Sequence, residues 1–321
     1  MSLGFLHFKV SVLSFLAKVG FQLEMRGLKK VGRLVCEKSC RLILSQSCSL
    51  KPVATANAGE TELHIPVCKR DLNLAIWSQW SLQKMAQSPW PLVFHDDGSL
   101  ERADCEKLKC HFPNCRITDA KEMDERAESL LKGYPNLLKY RTASRNSFGR
   151  KVIDAHFYSP QASILCIDTD VLFFAPPEEL IELAGADDKV AYHCEAQDFY
   201  LNCPDLRKRF DSVLLDLNSG LTLRPPSYFD KTRFEEVCDW LNEESERLQF
   251  RPGCDQLLLS ICAGWQPSSN VKGLAVHYSN SAAEFSSLGE GLVSMHYHSW
   301  SREMFAWQGI PYFLKRLKSL E

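Results

Sequence analysis

The sequence predicts an α/β fold in which a mostly parallel central sheet is flanked by helices. Three observations carry that expectation. From Glu62 onward, short apolar runs of strand type alternate with helical stretches, an order that builds a parallel sheet with ligands at the carboxyl ends of its strands. One such run, Ser163–Ile167, leads without a break into Asp168-Thr169-Asp170, so carboxylates stand where a buried strand ends. Of the 321 residues, 45% are apolar and 24% charged, a globular composition with room for one extended α/β domain or two smaller ones. We read a single domain over residues 61–321, preceded by a basic extension over residues 1–60.

The extension differs in composition from the domain. Up to about Asn57 it carries Lys9, Lys18, Arg26, Lys29, Lys30, Arg33, Lys38, Arg41 and Lys51 against only Glu24 and Glu37. Its apolar run Val10–Val19 reads as too brief to span a bilayer, and Lys9 and Lys18 flank that run, whereas a secretory signal places its charges ahead of it. A loosely ordered leader, a segment packed on the domain, and a basic amphipathic segment in peripheral contact with an anionic membrane all fit this composition. Lys51–Glu60 is small and polar, as a linker is.

A formal net charge of −2 gives no long-range attraction for nucleic acid, so no nucleic-acid partner is expected and an anionic ligand must be held by a local site. The 13 cysteines are odd in number and contain no C-x-x-C pair. Cys105, Cys110 and Cys115 are evenly spaced but match no zinc module, which leaves reduced thiols in a cytoplasmic protein as the expectation.

Within the domain, Leu63–Val67 reads as the first strand, and Cys68-Lys69-Arg70-Asp71 turns into a helix whose Leu72, Ile76, Trp80 and Lys84 recur every fourth residue beside Trp77 and Met85. Pro91–His95 is a second strand, closed by Asp96-Asp97-Gly98-Ser99. That tetrapeptide is a turn former, and Asp97 at a strand end is equally placed to accept a hydrogen bond from a nucleotide base or ribose. Asp119–Lys132 is a charged helix with Gly133 expected as its C-cap. Lys139, Arg141, Arg145, Arg150 and Lys151 form a basic run, ordinarily a solvated face. Val152–Tyr158 then reads as a helix delivering the chain to the strand with the acid pair, which brings Lys151 within reach of a diphosphate.

Strand side chains alternate, so in extended backbone Asp168 and Asp170 face the same way and share one cation. Carboxylate oxygens suit Mn²⁺ or Mg²⁺, ions that complete their shells with phosphate oxygens when these are on offer. Asp-x-Asp also occurs by chance at caps and turns. Here it follows a buried strand and precedes Val171-Leu172-Phe173-Phe174 and a Pro176-Pro177 helix start, surroundings in which two acids are costly to desolvate without a cation.

Downstream, Val213–Leu223 reads as two extended pieces around Asn218-Ser219-Gly220. Thr232–Leu248 is an amphipathic helix with Phe234, Val237, Cys238, Trp240 and Leu241 on its apolar side. Gly253-Cys254-Asp255-Gln256 opens an apolar helix through Ile261, where Asp255 suits a capping position. Val293–Trp300 is read as an alternating strand with His296 and His298 on one face, both candidate ligands beside the acid pair, and with His277 a weaker one. Spacing does not choose between His296 and His298.

Taken in order, Phe94-His95-Asp96-Asp97-Gly98-Ser99-Leu100, Lys151-Val152-Ile153-Asp154, Leu165-Cys166-Ile167-Asp168-Thr169-Asp170-Val171, Asn218-Ser219-Gly220-Leu221, Asp255-Gln256 and His296-Tyr297 resemble nucleotide-sugar glycosyltransferases of the GT-A (Rossmann-like) fold. The resemblance is to the glycogenin and lipopolysaccharide galactosyltransferase type, family 8-like, and extends from about Leu63 to Trp307. It implies that Asp168, Asp170 and His296 hold Mn²⁺ (or Mg²⁺). It further implies that Lys151, Asp168, Asp97, Asn218 and Arg302 face the nucleotide sugar, and that Asn218, Asp255 and Gln256 face the reacting sugars as the catalytic group. Two positions depart from the pattern. The family's late His is followed six residues on by Lys, where this chain has Arg302, and the first strand reads His64-Ile65-Pro66-Val67-Cys68 where the family carries a nucleotide-contacting Asn or Thr.

The activity so implied is transfer of a hexose from a nucleotide-diphosphate sugar, UDP-linked by resemblance, to a glycan, protein or small-molecule acceptor, with retention of configuration. Two other readings share the acid pair. In a haloacid dehalogenase-type phosphohydrolase Asp168 is the nucleophile and Asp170 the acid or base, but the later acidic pair that family needs is missing, since Asp187-Asp188 lies too close. A catalytically silent nucleotide-sugar-binding protein uses the same scaffold.

Overall fold

The structure is a computed structural model that describes all residues except 1, 87–88, 144–146, 196–205, 249–253, 281–290, 299–300 and 321. Arg145, Gly253 and the expected strand end at 299–300 therefore lie outside the described residues. The chain begins with helices α1 (Leu3–Met25) and α2 (Lys29–Ser45). The domain then runs through β1 (Thr61–Val67), α3 (Leu72–Met85), β2 (Leu92–Asp96), α4 (Arg102–His111), β3 (Arg116–Thr118), α5 (Ala120–Leu130), α6 (Pro135–Thr142), α7 (Ser147–Tyr158) and β4 (Ser163–Ile167). It continues through β5 (Val171–Phe173), α8 (Glu178–Ala184), β6 (Val190–Cys194), α9 (Leu206–Arg209), β7 (Leu217–Arg224), α10 (Lys231–Leu248) and α11 (Cys254–Gly264). The last elements are β8 (Val271–Gly273), β9 (Tyr278–Ser279), β10 (Ser294–His296), α12 (Arg302–Met304) and α13 (Ile310–Leu320).

Seven strands form one sheet in the order β3-β2-β1-β4-β7-β6-β8. β7 runs against its neighbours β4 and β6, while the other pairings are parallel, so the sheet is mixed and mostly parallel, with helices on both faces. Strand order reverses at β1, which has β2 on one side and β4 on the other, and this reversal opens a crevice beyond the carboxyl ends of the strands. A smaller sheet, β5-β10-β9, stands beside that crevice, with β10 antiparallel to β5.

Burial explains the strand sequences. β1 is buried along almost its whole length, as a central parallel strand covered on both faces must be. Leu63, Ile65 and Val67 pack in one core with Ile76, Trp77 and Trp80 of α3, whereas Val152, Ile153 and Phe157 of α7 join Val237, Trp240 and Leu258 in another. α3 is buried nearly all round because the leader covers it. Trp77 donates its indole N–H to the Leu44 carbonyl at 3.1 Å, and Trp80 to the Lys51 carbonyl at 2.9 Å.

The leader is a helical hairpin turned at Gly27, whose φ of +94° suits glycine. Its helices touch backbone to backbone: a Cβ on Gly20 would lie 2.6 Å from the Cys36 nitrogen, and one on Gly32 would lie 2.5 Å from the Gly20 carbonyl oxygen. The apolar segment is also longer than Val10–Val19 suggested. Because the helix runs on through Lys9 and Lys18, α1 reaches 23 residues, with a mean hydropathy of 1.4 over an 18-residue window, enough by length and composition to cross a membrane.

Three local expectations are corrected. α5 stops at Leu130 with Leu131 as C-cap, so Gly133 lies beyond the helix end. Asn218-Ser219-Gly220 does not separate two extended pieces but lies inside β7, where a register shift opposite Tyr192 and His193 accommodates it. β10 is only three residues long, and after His296 the Tyr297 N–H turns to the Asp170 carbonyl at 2.9 Å, which takes His298 out of the strand.

One buried carboxylate ties the N-terminal end of β1 to its surroundings. Glu62 accepts a hydrogen bond from the Ser159 hydroxyl and forms an ion pair with Arg116 at 2.7 Å, with His64 Nε2 at 3.6 Å. Burial alone would raise its pKa, but the bonds from His64, Ser159 and Arg116 win and hold it at about 2. A depressed carboxylate stabilises the fold fully above its unfolded pKa, near 4.5, and this contribution is lost as pH falls toward 2. Glu62→Gln is therefore expected to flatten the stability profile across that window. Urea unfolding of both proteins at stepped pH measures it, and parallel profiles would refute the assignment.

Candidate active site

The acid pair is held by three separate elements. Asp168 leaves β4 with its N–H donating to the Gly220 carbonyl of β7 at 2.8 Å, and Asp170 is tied through its own carbonyl to Tyr297 beyond β10. The backbone from Asp168 to Asp170 turns instead of staying extended, with Val171 N–H reaching the Asp168 carbonyl at 3.3 Å, yet the carboxylates still converge. Pairing of β10 with β5 sets His296 opposite Val171. Its Nε2 lies 3.2 Å from Asp170 Oδ1 and 3.8 Å from Asp168 Oδ2, and one ligand atom from each of the three residues lies within 4.8 Å of the others.

The imidazole is oriented from behind. Asn218 Oδ1 accepts from the Gly220 N–H at 2.9 Å and faces His296 Nδ1 at 3.0 Å, so Nδ1 carries the proton and Nε2 is left toward the acids. Metal-binding histidines are commonly fixed in this way. Gly220 makes room for the ring, since a Cβ there would sit 2.2 Å from His296 Cε1. His298 Nε2 points instead to the Asn280 carbonyl at 2.8 Å, and His277 is exposed outside the cavity. Two carboxylates and one imidazole are a donor set suited to Mn²⁺, and less so to the more oxygen-demanding Mg²⁺.

Cationic groups face the acids. Lys151, one turn ahead of Asp154 on α7, places Nζ 2.7 Å from Asp168 and 3.1 Å from Asp255. The helix cannot rotate it away, because Arg141 of α6 clamps Asp154 with two bonds of 2.5 and 2.8 Å. Burial works against the ammonium charge, but Asp168 and Asp255 outweigh it and raise the Lys151 pKa. His296 behaves alike: burial disfavours its charged form, while the hydrogen bond and charge of Asp170, with Asp168, raise its pKa. Arg302 lies 2.7 Å from Asp71 and 3.5 Å from Asp170.

These groups line one cavity of about 650 Å³ at the carboxyl ends of β1, β2 and β4. Every site residue nominated from the sequence borders it: Asp97, Lys151, Asp168, Asp170, Asn218, Asp255, Gln256, His296 and Arg302. Asp97 serves as a turn residue as well, accepting from the Ser99 N–H at 3.0 Å. Gln256 accepts from the Ser219 N–H at 3.4 Å, while its buried Nε2 has no partner among the described residues. Sequence reading missed Asp71, Arg150 and Glu195, which also border the cavity. Asp71 lies in the turn into α3, and its place just beyond the first strand is the one sequence signal for it. Glu195 accepts from Asn218 Nδ2 at 2.7 Å.

No protein-family model matches the sequence, and no curated protein matches it. Among solved structures, the chain superposes on the galactosyltransferase LgtC, crystallised with donor and acceptor sugar analogues, with a TM-score of 0.50 at 14% identity over 80% of this chain and 95% of that one. The fold is that of the GT-A glycosyltransferases. Similarity extends to mouse xyloside xylosyltransferase 1 (TM-score 0.48, 16% identity, 76% of this chain and 98% of that one). It also extends to core-mannan synthase A of Aspergillus fumigatus (0.48, 12%, 71% and 77%). In this GT-A chain the Asp168, Asp170 and His296 group stands at the strand ends as a candidate metal site.

Two outcomes test the geometry. Gly220→Ala, which leaves both acids in place but drives a methyl into the imidazole, is expected to weaken Mn²⁺ binding at least as much as His298→Ala, for which a loss of about 10- to 100-fold is the upper range. Calorimetry on both variants decides, and an unaffected Gly220→Ala would refute the role given to His296. Because a metal displaces the proton from His296, Mn²⁺ affinity should also rise with pH through the imidazole range and lose that dependence in His296→Ala. A profile of equal slope in the two proteins contradicts it.

Proposed function

We propose that this protein is a metal-dependent glycosyltransferase, moving a hexose from a nucleotide-diphosphate sugar, with UDP the first nucleotide to test, to a glycan, protein or small-molecule acceptor. The observation that carries the reading is the Asp168-Asp170-His296 group, with its imidazole set by Asn218, at the strand ends of a GT-A fold. LgtC, which shares that fold, was crystallised with donor and acceptor sugar analogues. Reaction in a reducing, cytoplasmic compartment is part of the proposal, in keeping with the unpaired thiols of the described cysteines.

Asp168, Asp170 and His296 would hold Mn²⁺ or Mg²⁺. Such an ion, when bound, stabilises charge on a leaving diphosphate as a Lewis acid. The chain's own residues do the rest. Lys151 and Arg302 present fixed positive charge to the diphosphate, and Asp255 keeps Lys151 directed into the cavity. Asp97 meets the nucleoside. The unpartnered amide of Gln256, with Asn218 beside it, offers hydrogen bonds to sugar hydroxyls where the glycosidic bond is exchanged. Asp255, Gln256 and Asn218 thus form the group nearest the reacting sugar, and retention of configuration is the expected outcome.

A panel of nucleotide sugars, with and without Mn²⁺, tests this by calorimetry and by turnover, with p-nitrophenyl phosphate as the competing substrate. Metal-dependent binding of one sugar nucleotide is expected, abolished by chelator and reduced at least about 100-fold by Asp168→Asn or Asp170→Asn, since each removes a ligand. Phosphate ester hydrolysis without sugar-nucleotide binding would overturn the proposal in favour of a phosphohydrolase.

A further inference from the structure

The α1–α2 hairpin carries most of the exposed apolar surface of the molecule. Of the thirteen large apolar side chains that stand exposed among the described residues, ten lie between Phe5 and Leu42. They fall in stripes. On α1, Phe5, Phe8, Val12, Phe15 and Leu16 recur at helical spacing on one face, with Phe8 65% and Phe15 67% exposed. On α2, Val31, Leu34 and Leu42 share a face with Lys38 and Arg41. The other side of α1, with Leu6, Val10, Ala17 and Gly20, is already buried, so the stripe is what remains after the hairpin has docked on the domain.

Charge indicates what covers this surface. Lys9 and Lys18 of α1 and Lys29, Lys30, Arg33, Lys38 and Arg41 of α2 are all exposed, and α13, which packs beside α1, adds exposed Lys315 and Lys318. The chain as a whole is acidic, at −2, yet the elements with the exposed aromatic rings are locally basic, with only Glu24 and Glu37 against the cations of α1 and α2. We propose that this face docks on a bilayer containing anionic lipid, with the hairpin in the plane of the interface, its phenylalanines beneath the headgroups and its lysines and arginines among them. An apolar face and a polybasic surface are the two signals that together give stable peripheral binding. A membrane-spanning α1 does not fit, although its length would suffice. Lys9 and Lys18 lie within the helix, and its inner face is committed to the domain, where the Ser14 hydroxyl donates to the Trp307 carbonyl and Phe21 packs 5.9 Å from the Trp307 ring.

Co-sedimentation of the full chain with phosphatidylcholine vesicles, with and without phosphatidylglycerol, tests the inference independently of any sugar chemistry. Binding is expected to anionic vesicles only and to fade with added salt. Each Lys→Gln on the hairpin should weaken it about fivefold, which is ~1 kcal/mol per cation converted at 1.4 kcal/mol per tenfold. Phe8→Ser with Phe15→Ser should abolish it while melting temperature and Mn²⁺ affinity stay unchanged. No binding to anionic vesicles at low salt, or equal binding to neutral ones, overturns the proposal. So does a dimer, seen by light scattering, that the double Phe substitution dissociates, because the face would then be an interface between two copies.

Discussion

Everything around the cavity depends on how three carboxylates coexist within reach of one another. Asp168, Asp170 and Asp255 converge on one cavity, and each is met by a positive group: Lys151 between Asp168 and Asp255, and His296 and Arg302 against Asp170. Removing one partner of such a buried pair costs about 3–5 kcal/mol, because the other charge is left uncompensated. The architecture therefore reads as a set of devices for delivering cations to one place. α7 is locked by Arg141 so that Lys151 points inward, β7 has glycine where the imidazole must pass, and the smaller sheet exists at the point where His296 has to meet Asp170.

The same balance explains why a divalent ion suits the site. In its absence, protons and the protein's own cations neutralise the acids, with His296 held toward its protonated form. On the proposed reading, a bound ion would take over that neutralisation, and Lys151 and Arg302 would be left with charge to offer a diphosphate. One cluster would thus serve an empty and a loaded state with the same side chains.

What the sequence made legible was what is local. The alternation of strand and helix, the acid pair at the end of β4 and the long stripe of α3 all derive from neighbours along the chain. Most of the failures share a cause: the deciding contact is distant in sequence. His296 and His298 could not be separated by spacing, because the pairing of β10 with β5 selects between them. Asn218-Ser219-Gly220 has the composition of a turn, and only the shifted register against β6 keeps it in a strand. Asp71 becomes part of the site through Arg302, near the other end of the chain. In α1 the lysines broke the apolar run as read along the sequence, although in three dimensions they stand on one side of a helix that is apolar on two.

The docking of α1 against the segment of Trp307 joins groups 293 residues apart. Proteins are made from one end, at about 5–20 residues per second, so roughly 15–60 s pass between the appearance of the first helix and of the surface it finally covers. α2, which packs on α1 backbone to backbone, is made early in that interval and covers part of the inner face, while the part that meets Trp307 stays open. Docking of α1 on the Trp307 segment is therefore a later event than closure of the hairpin, and until then the apolar positions which that segment covers are open to whatever binds apolar segments at the ribosome exit.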